Sequence, residues 1–147
     1  MEKKDLIKLM NEIFKPLGFK HKGNNWVQNE TELSKMINLQ KSNFGNYYYI
    51  NYGFILRAIK LDNLYMHISD RLGSLDKEEQ REITNLLDFE YDIPKEERLS
   101  TLKQKIELKI LPVILKVNNE EDIKEYLKQR SHLNDIPLSV KKYLHLN

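Results

Sequence analysis

Cysteine is absent from the chain, which removes a disulfide framework, a thiolate nucleophile and any thiolate zinc site from consideration. Long apolar runs are missing too. The two longest apolar-looking stretches, residues 47–56 and 110–115, are interrupted by Asn51, Gly53 and Pro112, and neither approaches the roughly 20 residues a spanning helix needs. Met1–Lys4 is charged and leads straight into an amphipathic pattern, so no signal-peptide segment is expected. The five glycines, at 18, 23, 45, 53 and 73, are too scattered to form a phosphate-cradling loop. No sign of charge dominates: 24 basic and 22 acidic residues leave a formal +2 over 147 residues. That balance argues against a strongly basic nucleic-acid binder and against an acidic disordered tail. What is present, 40% apolar and 31% charged residues, suffices for one ordinary domain with a solvated surface. The expectation is a cytoplasmic protein with no membrane anchor. Its 19 Lys, five Arg and single Ala (Ala58) point to an AT-rich genome.

Periodicity divides the chain into a short helical start, a strand region and a helical second half. Leu6, Leu9, Met10, Ile13 and Leu17 recur at three- and four-residue steps, predicting a helix over 5–17 that ends at Gly18 and covers a sheet. From Phe19 to Asp70 the pattern alternates. A strand from Lys20, a turn at Gly23–Asn25 and a strand to Val27 come first. Leu33–Ser42 and Tyr47–Lys60 then form a hairpin around Asn43-Phe44-Gly45-Asn46. With Ser42 facing Tyr47, Ile37 meets Tyr52 and Leu39 meets Ile50 on the apolar face, while Asn38 meets Asn51 and Gln40 meets Tyr49 on the other. A fourth strand, Leu64–Asp70, follows. A three-residue loop, Asp62 to Leu64, sets Met66 opposite Lys60 and Ile68 opposite Ala58, keeping Ile50, Tyr52, Phe54, Leu56 and Ala58 on the buried side. A bulge near Gly53 is the alternative way to hold the faces in phase.

Asp76 with Glu79 reads as a capping box for a helix carrying Ile83, Leu86 and Leu87. A connector spans Phe89–Ile93. Pro94 then opens a long helix marked by Leu99, Leu102, Ile106, Ile110 and Val113, which Pro112 kinks or ends. Asn119 caps a helix through Arg130, with Ile123, Tyr126 and Leu127 inward, and a last helical turn follows Pro137 from Ser139 to Leu144. No repeat or linker interrupts the chain. The expected architecture is one α+β domain over 1–147: a meandering antiparallel sheet of about four to five strands, covered on one face by the N-terminal and C-terminal helices.

Positive signs of catalysis are lacking. His21, His67, His132 and His145 are not spaced as helical metal pairs, and His67 near Asp70 and His132 near Asp135 fit surface hydrogen bonding. No serine sits in a nucleophile elbow, and the acidic pairs Glu78-Glu79, Glu96-Glu97 and Glu120-Glu121 serve helix starts. No enzyme activity, metal or cofactor is expected. The run Tyr47-Tyr48-Tyr49 with Tyr52 could stack single-stranded bases. Alternation buries Tyr48 and Tyr52, though, and Lys35, Lys41 and Arg57 are too few for a phosphate track. Ordinary strand propensity is the better account.

Two surfaces stand out as candidates for binding. Asn38, Gln40, Tyr49 and Asn51 form a polar row on one sheet face, with Arg71 just after the fourth strand. Amides are poor strand formers, so their concentration means a solvated face, amides bonded to a crossing loop, or a recognition surface. The second candidate is acidic. Residues 76–98 carry nine acidic and four basic side chains, against seven and eleven in 1–75. Glu78, Glu79 and Glu82 would there form a patch for a basic partner.

Pro16-Leu17-Gly18-Phe19-Lys20 and the segment around Trp26 resemble a bacterial family, domain of unknown function 4304. The resemblance continues through Ile37-Asn38-Leu39-Gln40-Lys41-Ser42, Tyr49-Ile50-Asn51-Tyr52-Gly53, Arg71-Leu72-Gly73-Ser74-Leu75 and Leu111-Pro112. It spans about 3–130 and leaves 131–147 as a helical extension. Where such families carry tryptophan after the Arg-Leu-Gly motif, this chain has Phe89 and Tyr91. The resemblance brings no activity with it. By analogy with small bacterial immunity domains, the expectation is a non-enzymatic protein that binds a protein partner, such as a toxin. Binding of single-stranded nucleic acid or a small ligand on the polar face is the alternative.

Overall fold

In the computed structural model, which describes residues 1–146, the strand and helix patterns become a five-stranded antiparallel sheet and six α-helices. Asn147, the last residue of the 131–147 extension, lies outside the described residues. Helix α1, Lys3–Phe14, puts Leu6, Leu9, Met10, Ile13 and Phe14 on its buried side. Lys15–Leu17 then tightens into a 3-10 turn around Pro16. Gly18 follows at φ 94°, a left-handed conformation that favours glycine.

The strands are β1 (Lys20–Lys22), β2 (Asn25–Asn29), β3 (Leu33–Lys41), β4 (Tyr48–Leu56) and β5 (Ile68–Arg71), hydrogen-bonded in chain order. The central hairpin has the expected register, with Ile37 opposite Tyr52, Asn38 opposite Asn51, Leu39 opposite Ile50 and Gln40 opposite Tyr49. The Ser42 N–H donates to the Tyr47 carbonyl at 2.9 Å and closes it.

The fourth hairpin connection differs from the expected one. β4 stops at Leu56, β5 starts only at Ile68, and Ile68 lies opposite Phe54 rather than Ala58. Met66 and Lys60 are not strand partners, and Ala58 is exposed in the connecting loop. The displacement is four residues, an even number, so each side chain of β5 keeps the face assigned to it. His67 explains the longer loop. Expected at the surface, it is 1% exposed. Its Nδ1 accepts from the Leu56 N–H at 2.8 Å, leaving Nε2 to donate to the Lys60 carbonyl at 2.8 Å. Those bonds tie His67 to both sides of the turn out of β4, and the Arg57 N–H donates to the Glu32 carbonyl at 3.0 Å instead of continuing the pairing with β5. No bulge occurs at Gly53, which pairs regularly with Ser69. Its missing side chain matters in another way: a Cβ there would fall 2.0 Å from the Ile68 carbonyl oxygen.

One sheet face is covered. Ile37, Leu39, Ile50, Tyr52, Phe54 and Leu56 join α1 and the later helices in one core. Those helices are α2 (Lys77–Leu87), α3 (Lys95–Lys109), α4 (Leu111–Lys116), α5 (Glu120–Lys128) and α6 (Leu138–Tyr143). Each fully buried Leu or Ile here contributes about 1.5–3 kcal/mol. The Asp76 carboxylate caps α2 by accepting from the Glu79 N–H, and Asn119 caps α5 by accepting from the Asp122 N–H. The long helix ends at Lys109, and α4 restarts after Ile110 with Pro112 in its first turn. Trp26 is fully buried, donates to Asn11 of α1 at 2.9 Å and stacks under His21 at 4.6 Å.

Among the described residues, the buried side-chain polar atoms are paired except Arg98 Nε. Lys35 is buried, and its Nζ donates to Asn118 Oδ1 at 2.6 Å, with burial pulling its pKa down. Asp70 accepts from Arg130 at 2.9 Å and from the Tyr126 hydroxyl. Burial pushes the Asp70 carboxyl up against the opposing pull of Arg130, and burial beside Asp70 pushes Tyr52 up to about 12. Arg98 lies 1% exposed at the α2–α3 junction. It donates to the carbonyls of Asn85 (2.8 Å), Leu86 (2.6 Å), Asp88 (2.9 Å) and Tyr91.

Candidate functional site

The face opposite the helices is polar in the rows toward the β3–β4 turn because the register makes it so, while Val27, Met36 and Gly53 form the next row away from the turn. Lys22 pairs with Asn25, Asn25 with Asn38, Asn38 with Asn51 and Asn51 with Arg71. One row therefore crosses all five strands, carrying three amides between a lysine on one edge strand and an arginine on the other. Gln40 and Tyr49 form the next row toward the β3–β4 turn.

Side chains along these rows are joined head to tail. Arg71 Nε donates to Asn51 Oδ1 at 3.0 Å, and Arg71 Nη2 donates to Gln40 Oε1 at 3.1 Å. Asn51 Nδ2 donates to Gln40 Oε1 at 2.9 Å and to Asn38 Oδ1 at 3.1 Å. Asn38 Nδ2 donates to Asn25 Oδ1 at 2.8 Å and to the Tyr65 hydroxyl at 3.3 Å. Every amide oxygen in this chain of bonds accepts, and the direction runs from the arginine toward β2. The Arg71 guanidinium also lies over the Tyr49 ring, 3.9 Å from its centre. All five residues expected in the sheet-face site, Asn38, Gln40, Tyr49, Asn51 and Arg71, thus belong to one cluster.

A cleft of about 600 Å³ opens beside it, with Asn38, Gln40, Asn51, Tyr65, Met66 and Arg71 in its lining. Tyr65 and Met66 come from the 57–67 loop, which crosses this face and buries Asn38 to 5% exposure. Sequence reasoning missed both, having assigned Leu64–Asp70 to a strand, and it missed Asn25 by reading Gly23–Asn25 as a turn. The signal for Asn25 was available: pairing β2 with β3 on Trp26 opposite Ile37 places Asn25 against Asn38.

Tyr47 and Tyr49 do not form a stacking platform. Their rings meet edge to face at 5.8 Å and 83°, with Arg71 over the second ring. Tyr47 beside it raises the Tyr49 pKa, and burial raises that of Tyr48.

The acidic candidates are distributed differently. Glu79 is bonded to Lys105 at 2.9 Å and Lys109 at 2.7 Å, and Glu82 to Lys105 at 2.5 Å. Hydrogen bonds from Lys109, Ser74 and Lys105 hold the Glu79 carboxyl down at about 2. Glu78 is exposed and, with Glu82 one turn later, lines a separate cleft of about 420 Å³ that also includes Arg81, Tyr91 and Glu97. The counter-ions of Glu79 and Glu82 lie one helix later in the chain, beyond the stretch over which the charges were summed.

Among the described residues, no group of three or more His, Asp or Glu side chains could hold a metal ion, and no helix is long and apolar enough to cross a membrane. Comparison with known proteins finds no match among curated proteins or solved structures. A family model does match, over residues 10–132, and it includes every member of the sheet-face cluster. The chain belongs to that family, the domain of unknown function DUF4304.

Proposed function

We propose that this chain is a non-enzymatic binding protein that holds a protein partner on its uncovered sheet face, in the manner of an immunity protein neutralising a toxin. One observation carries the reading: Asn38, Gln40, Tyr49, Asn51 and Arg71 form a single ordered hydrogen-bond network at the mouth of a cleft. Amides, tyrosines and arginine held in place ahead of contact are the side chains that recognise a partner with little ordering cost. Phe44, in the β3–β4 turn, and Leu75, after β5, support a macromolecular partner. Both are almost wholly exposed large apolar residues, and the topology puts them at the same end of the sheet as Gln40, Tyr49 and Arg71. Apolar side chains beside a polar cluster suit a protein interface. The reading places the chain in the cytoplasm, in keeping with its lack of cysteine.

The test is capture of partners from the host by the tagged full chain, with Gln40→Ala/Asn51→Ala in parallel. The expected result is one stoichiometric protein, a nuclease or other toxin, retained by the parent chain and lost by the folded double variant. Recovery of no protein, or of RNA alone, overturns the proposal.

A further inference from the structure

The network leaves one kind of chemistry unused, and it is all on the donor side. Arg71 has five N–H groups, and the hydrogen bonds to Asn51 and Gln40 engage its Nε and Nη2. Among the described residues its Nη1 has no hydrogen-bond partner, and Arg71 forms no ion pair. Gln40 Oε1 accepts twice, while Gln40 Nε2 donates to nothing among the described residues. No Asp or Glu lines the cleft. On the covered side, by contrast, Arg130 is consumed by Asp70 and Asp135.

The guanidinium is also fixed before any ligand arrives. Two amide oxygens hold it in plane, and the Tyr49 ring supports one face at 3.9 Å. An arginine so held, with its end still open, matches the two parallel oxygens of a carboxylate. Resting on the protein-binding reading above, we propose that Arg71, with the Gln40 side-chain amide beside it, binds a carboxylate side chain, an Asp or Glu that the partner inserts into the cleft. The nearer half of the site is thereby a charge reader, and the amides toward Asn25 position it.

The test uses the full chain, isotope-labelled for side-chain N–H signals, titrated separately with a capped peptide of four glutamates, its glutamine counterpart and inorganic phosphate. The acidic peptide is expected to shift the Arg71 Nε–H and the Gln40 and Asn51 amide signals, and the glutamine peptide to leave them in place. Arg71→Gln should weaken the acidic peptide about tenfold, and Arg71→Lys should recover little of it because an ammonium has no fork. A response to phosphate with none to the peptide overturns the carboxylate assignment, as does full affinity in Arg71→Gln with the fold intact. The two proposals fail separately. A partner that Arg71→Gln retains but Gln40→Ala/Asn51→Ala loses removes the carboxylate and keeps the interface. Peptide binding with no protein captured removes the interface and keeps the anion site.

Discussion

Arg98 and Arg71 sit on opposite sides of the sheet and treat their charge in opposite ways. Arg98 is buried between α2 and α3, where its donors meet backbone carbonyls at the C-terminal end of α2 and in the connector after it. The Asn85 carbonyl also accepts from the Asp88 N–H at 3.2 Å and the Asp88 carbonyl from the Tyr91 N–H at 3.1 Å, and the arginine adds the remaining donors at the helix end. Beside it, Glu79 and Glu82 are neutralised by Lys105 and Lys109. At the sheet face Arg71 is exposed and meets only side-chain amides and an aromatic ring. The helix junction uses charge to join elements and leaves little for a ligand. The sheet face uses neutral groups to hold a charge in place and leaves that charge open. An abundance of charge along the chain is therefore a poor guide to how much of that charge stays unpaired in the fold.

The sharpest way to break the comparison is Arg98→Ala. It strips the carbonyls at the end of α2 of buried donors, and a loss of about 3 kcal/mol is expected in urea unfolding. A loss under about 1 kcal/mol would mean that water replaces the arginine and that the junction is not held by it. Next is Gly53→Ala. The added Cβ would meet the Ile68 carbonyl at 2.0 Å, so β5 must move, at a cost of about 2 kcal/mol. Because Arg71 ends that strand, the same variant should also release the Arg71 Nε–H signal from its bonded position.

A smaller effect separates the regions by pH. The Glu79 carboxyl lies at about 2 in the folded chain, against an ordinary 4.5. A depressed carboxyl stabilises the fold above its unfolded value, and that contribution is lost as pH falls from about 4.5 toward 2. Glu79→Gln should flatten the stability profile across that window, measured by thermal melts at stepped pH, and an unchanged slope would sink the assignment. The smallest effect is expected for Arg71→Gln, under about 0.5 kcal/mol of folding stability. A large loss there would make Arg71 a structural residue like Arg98 and erase the contrast.

Much of this was legible in the residues before any coordinates. The β3–β4 register was readable because two strands independently alternate and agree on their polar face, which brought Asn38, Gln40, Asn51 and Tyr49 together. Arg71 could be placed beside them from its position just after the strand. The β5 register was not readable. It depends on His67 bonding Leu56 and Lys60, and on the close approach permitted at Gly53, both of which are contacts between distant residues. Arg98 was invisible for a related reason: a basic residue beside Leu99 reads as solvent-facing, and only the fold of α2 onto α3 gives it carbonyls to bind. In the acidic stretch a sum of charge along the chain leaves out Lys105 and Lys109, which reach Glu79 through space.

The outer strands of the sheet carry a consequence for how any other chain approaches. β1 is only three residues long and contains Lys20 and Lys22, and β5 is four residues long. The Ser69 carbonyl of β5 already accepts from Arg130 at 3.3 Å. Short borders carrying lysine, or with a carbonyl already occupied, offer poor templates for strand addition. The sheet is thus guarded against growing sideways into stacks of its own copies, and a chain that pairs by backbone alone meets a poor template at either border.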